Sequence, residues 1–125
     1  MENLNNLFVP SEIATKLKEI GFNEPCFGYL DNNDKFKFFA DLKNCNTNSE
    51  FGFYPTVPTY EQVKLWFMEN HLIFITVNCE KWLHEFRGEV ETSNKLYVTE
   101  IFNDYNEAFN ASINAAIPFI NNDNN

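Results

Sequence analysis

The chain has 125 residues, 44% of them hydrophobic and 17% aromatic, and its 18 acidic against 9 basic side chains give a net charge of −9. That length suits one domain and excludes two ordinary ones, while the hydrophobic content excludes a chain disordered throughout. The charge argues against a surface that grips phosphate backbones through counterion release, and against docking on anionic membrane.

The two ends, residues 1–6 and 121–125, are Asn-rich and are expected to fray. A first helix is predicted from about Ser11 to Ile20, with Ile13, Leu17 and Ile20 as its apolar stripe and Pro10 near its first turn. Gly21 is the expected left-handed residue after it, and Phe22 folds back as the hydrophobic contact of a Schellman motif. Beyond Pro25, Cys26–Leu30 reads as a strand, and Asp31–Asp34 as a turn whose Asx side chains bond their own backbone. Phe36–Ala40 then returns as the partner of a hairpin, and Glu50–Tyr54 is read as a third short strand after a polar loop.

Pro58 stops what precedes it, and Thr59 with Gln62 forms a capping box for a helix over Tyr60–Asn70. Leu72–Asn78, Trp82–Val90 and Lys95–Phe102 read as an antiparallel meander, with Glu91–Asn94 as a turn. Alternation in the last strand is imperfect, which leaves its inward face open. A final helix starts at Asp104, whose spacing to Glu107 repeats the capping logic, and Pro118 ends or kinks it. The expected fold is a single α+β domain over residues 1–125: a mostly antiparallel sheet packed by about three helices, in the order α-β-β-(β)-α-β-β-β-α.

Three blocks carry a family resemblance: Val9–Phe22 running on to Glu24–Phe27, Val57–Tyr60 through Trp66–Phe67, and Tyr105–Ala108. Together they resemble small uncharacterised proteins encoded by phages, prophages and related mobile elements of gut Bacteroidetes. The resemblance implies a phage or prophage setting and a shared fold. It implies no activity, cofactor or catalytic residue. Members of that family usually have Ala where this chain has Val57, and their C-terminal helix is more basic than the one here.

Few constellations carry chemistry. His71, Cys79 and His84 flank one predicted strand but match no CxxC knuckle or HExxH helix, so no metal is expected. Cys26, Cys45 and Cys79 are odd in number and form no CxxC pair; they read as free thiols of a reducing cytoplasm. A Cys79–His84 dyad is the one arrangement available for nucleophilic chemistry, and Glu89 with Glu91 the carboxylate pair to weigh for acid–base work. The four glycines are isolated, so neither a P-loop nor a GxGxxG can be written. Trp66, Phe67, Trp82 and Phe86 read mainly as core aromatics. No apolar run approaches the ~20 residues of a membrane span.

From Tyr60 onward the order α-β-β-β-α is also that of a double-stranded-RNA-binding domain. There the last helix grips phosphate with basic residues, whereas here residues 96–125 contain no Lys or Arg. Direct nucleic-acid binding is not expected. The sequence therefore points to a cytoplasmic, non-enzymatic protein without cofactor, acting through contacts with an unknown protein partner, a homodimer included. Tyr60 and Trp66, with Glu100, Asp104 and Glu107, form the candidate interaction surface. The alternative is an acidic inhibitor that imitates nucleic acid through Glu100, Asp104 and Glu107 and blocks a host defence or DNA-binding protein.

Overall fold

Segments that cap themselves locally set the frame of the structure, a computed structural model. It describes residues 6–39, 47–52, 54–81 and 84–122, without the side chains of 80, 81, 121 and 122. The element order is α1 (Ser11–Glu19), β1 (Gly28–Leu30), β2 (Phe36–Phe38), α2 (Asn48–Phe51), β3 (Thr56–Val57), α3 (Tyr60–His71), β4 (Phe74–Lys81), β5 (Glu85–Glu91), β6 (Leu96–Phe102) and α4 (Tyr105–Asn122). This is an α+β fold, and every described strand pair is antiparallel. The chain divides into two compact units, residues 1–63 and 64–125. The strands form two three-stranded sheets, β2-β1-β3 and β4-β5-β6, and not the one sheet expected.

In the first unit, α1 ends as its sequence dictates. Phe22 N–H donates to Leu17 O at 2.9 Å and Gly21 N–H to Lys18 O at 3.2 Å, the paired bonds of a Schellman motif. Gly21 takes φ +96, a conformation that penalises any Cβ. Phe22 and the stripe Ile13, Ala14 and Leu17 are buried. The β1–β2 hairpin closes through Asp31, whose Oδ1 accepts from Asn33 N–H at 2.8 Å and Lys35 N–H at 3.0 Å. These two donors, Lys35 first, hold the Asp31 carboxyl below the usual carboxylate range.

The expected strand over Glu50–Tyr54 is a correction. Asn48–Phe51 is instead a helical turn, because Thr47 and Glu50 form a capping box in which Glu50 N–H reaches Thr47 Oγ1 at 3.1 Å. Position 53 lies outside the described residues. Asn48, buried at the start of this turn, ties the unit together. Its Nδ2 donates to Phe22 O at 2.7 Å, and its Oδ1 accepts Thr56 N–H at 2.8 Å.

Helix α3 begins with the expected capping box: Gln62 N–H donates to Thr59 Oγ1 at 3.2 Å and Thr59 N–H to Gln62 Oε1 at 2.9 Å. It ends on Leu72, an exposed residue at φ 54 whose N–H donates to Met68 O. In the second unit, α4 lies against β4, β5 and β6. Asp104 caps it by accepting Glu107 N–H on Oδ2 at 3.0 Å. The helix runs through Pro118 to Asn122, so Pro118 does not end it and residues 121 and 122 have helical backbone. The remaining ends, 1–5 and 123–125, lie outside the described residues.

Candidate functional site

The two faces of the β4-β5-β6 sheet follow from register and one bulge. Ile75 pairs with Val90, Val77 with Gly88 and Cys79 with Phe86, and paired residues share a face. That face meets α4: a Cβ at Gly88 would lie 3.0 Å from Ala108 O and 3.1 Å from Ser112 Cβ, and the Phe86 ring touches that of Tyr105. Strand alternation then sends the intervening residues to the opposite, open face.

In β6 the alternation is interrupted. Arg87 pairs with Ile101 and Glu89 with Val98, so Thr99 and Glu100 together oppose Gly88. The Thr99 hydroxyl accepts Gly88 N–H at 2.9 Å and donates to Glu100 O at 2.8 Å, replacing the interrupted ladder bond. The extra residue shifts the parity beyond it. Ile101, which an unbroken strand would turn toward α4, joins Leu96 and Val98 on the open face.

Three cross-strand rows result: Phe74–Glu91–Leu96, Thr76–Glu89–Val98 and Asn78–Arg87–Ile101. A solvated face of an antiparallel sheet is normally polar. Here β5 contributes charge and β4 mostly polar groups, but the β6 column is apolar. Leu96, Val98 and Ile101 are 61%, 40% and 44% exposed, and Phe74 is 46% exposed at the end of the first row. Sequence reasoning missed this column. The signal was present in the imperfect alternation of Leu96–Phe102, a mark of a bulge as much as of an uncertain face.

Two residues of the expected interaction surface are buried. Tyr60 is 8% and Trp66 7% exposed. Both lie on the apolar side of α3 with Val63 and Phe67, where burial outweighs any role as an exposed anchor. Trp66 packs edge-on against Phe67 and His71, at 5.1 and 4.8 Å between ring centroids. Glu100, Asp104 and Glu107 are exposed, but they have different duties. Asp104 holds the N-terminus of α4, and Glu100 sits in the bulge of β6.

Cys79 stands opposite Phe86 in the ladder, while His84 lies in the turn before β5 at φ 64. Cys26 is buried and its Sγ donates to Glu24 O. Among the described residues no three His, Cys, Asp or Glu side chains gather as metal ligands. Cys45 and Trp82 lie outside the described residues. A shallow depression of about 390 Å³ over α1 is lined by polar side chains such as Glu12, Thr15 and Glu19, with Asp34 at its side. It is the solvated face of an amphipathic helix. Among the described residues no helix is long and apolar enough to cross a membrane.

Comparison with protein families, with curated proteins and with solved structures finds no match to this chain.

Proposed function

We propose that this chain is a protein-interaction module that engages its partner through the open face of the β4-β5-β6 sheet. The observation behind this reading is the exposed column Leu96, Val98 and Ile101, with Phe74 across the sheet. Apolar side chains gathered on one solvent-facing surface are the usual mark of an interface, whereas scattered ones need no explanation. The setting we propose is that implied by the sequence resemblance: a small, non-enzymatic, cytoplasmic accessory protein of a phage or mobile element.

The test uses the chain as bait in extracts of lysogenic bacterial cells, beside a variant carrying Leu96→Thr, Val98→Thr and Ile101→Thr. Threonine keeps strand propensity while removing apolar contact area. A protein retained by the native chain and lost by the variant, with circular dichroism unchanged, is the expected result. Identical retention by both baits would refute the reading.

A further inference from the structure

We infer that the open face docks a basic amphipathic helix of a partner protein, its apolar stripe on Leu96, Val98 and Ile101 and its Lys or Arg side chains on Glu89 and Glu91. This inference rests on the proposed interaction role and specifies the chemistry of the occupant. The apolar column belongs to β6, and β5 presents Glu91, Glu89 and Arg87 beside Leu96, Val98 and Ile101. The two columns therefore run side by side along the strands, with the acidic pair at the Leu96–Val98 end, where the basic residues of the helix belong. Neighbouring strands lie about 4.8 Å apart, and a helix with its side chains is about 10 Å across. One helix aligned with the strands therefore covers both columns at once.

Charge decides between occupants. Glu91 is exposed and Glu89 half-buried, and each has an exposed apolar neighbour in its row, Leu96 or Val98. A helix with basic residues flanking its apolar stripe pairs these carboxylates while burying the column. A second copy of the chain brings like charge instead. Each copy carries −9, and its longest helix, α4, has no Lys or Arg to offer. Like charges opposed across an interface disfavour it.

Two synthetic helical peptides with the same leucine stripe, one flanked by Lys and the other by Glu, provide the probe. The Lys peptide is expected to bind, with amide shifts confined to residues 74–78, 85–91 and 96–102, and the Glu peptide to bind at least about ten-fold more weakly. Glu89→Lys with Glu91→Lys should weaken the Lys peptide by about ten-fold or more, as should the triple threonine variant. A control pair on α4, across the sheet from this face, Glu107→Lys with Asn114→Lys, supplies three of the same four charge units and should alter affinity by no more than about two-fold. Equal loss in the control pair, shifts elsewhere, or no binding of the Lys peptide overturns the inference. Sedimentation separates that failure from failure of the interaction role. A dimer dissolved by the threonine variant would replace the basic helix with a second copy and leave the face an interface. No dimer, no peptide binding and unchanged bait retention would remove both.

Discussion

Replacing Gly88 by alanine puts a methyl group where the Ser112 hydroxyl already sits. The new Cβ would overlap Ser112 Oγ and lie 3.1 Å from Ser112 Cβ and 3.0 Å from the Ala108 carbonyl oxygen. The hydroxyl can rotate away only by giving up its 2.8 Å bond to Ala108 O, a loss of about 1 kcal/mol. The other two contacts involve the helix itself, so α4 must also retreat by a few tenths of an ångström. Overpacking of that kind costs about 1–3 kcal/mol, which brings the expected destabilisation to about 2–4 kcal/mol. In urea unfolding followed by circular dichroism, the midpoint should fall by about 1–2 M. Ser112→Ala removes the worst overlap, so the double variant should recover at least about 1 kcal/mol of the cost as a coupling energy. A Gly88→Ala protein within about 0.5 kcal/mol of the native chain, or a cycle with no coupling, would refute the packing argument.

Three further outcomes are expected. Asn48→Ala leaves Phe22 O and Thr56 N–H buried without their shared partner, and should cost about 2–4 kcal/mol in the same unfolding assay. Leu72→Gly should stabilise by roughly 0.5–1 kcal/mol, because an exposed leucine at φ 54 gains little from its side chain and pays for a left-handed backbone. Asp31 should titrate below the model-peptide value of about 3.9 when followed by carboxyl NMR. Its folded-state pKa is depressed, so its contribution to the hairpin is present above the unfolded value and is lost as pH falls through the lower folded one. The amide shifts of Lys35 and Asn33 should follow the same midpoint, and an Asp31 midpoint at or above the ordinary value would contradict the turn geometry.

Features closed by neighbours in sequence were legible before the structure. Gly21 and Phe22, the Asp31 turn, and the caps at Thr59 and Asp104 each need only residues within a few positions, and each forms as read. The strand expected over Glu50–Tyr54 rests on its aromatics, whereas the Thr47–Glu50 capping signature, the more specific signal, starts a helical turn over Asn48–Phe51. Division of the strands into two sheets depends on long-range pairing, which local pattern does not carry. The same holds for Tyr60 and Trp66: helical spacing puts them on an apolar side, but their burial is a tertiary fact. The open-face column was hidden for a different reason. A period-two reading of β6 groups Leu96, Val98 and Glu100, and only the pairing of Arg87 with Ile101 reveals the change of parity.

That irregularity also bears on the edge of the sheet. Strand β6 lies at the edge of its sheet, with Leu96, Tyr97, Val98 and Ile101 exposed and no Lys, Arg or Pro along it. An apolar edge of this composition is a template for adding further strands and, ultimately, for fibrils. The break at Thr99–Glu100 cuts the template short: an incoming strand finds in-register backbone over Leu96–Val98 and then meets a kink beside a carboxylate. A bulge of this kind shortens the length of edge open to strand pairing and leaves the broad side of the sheet unchanged.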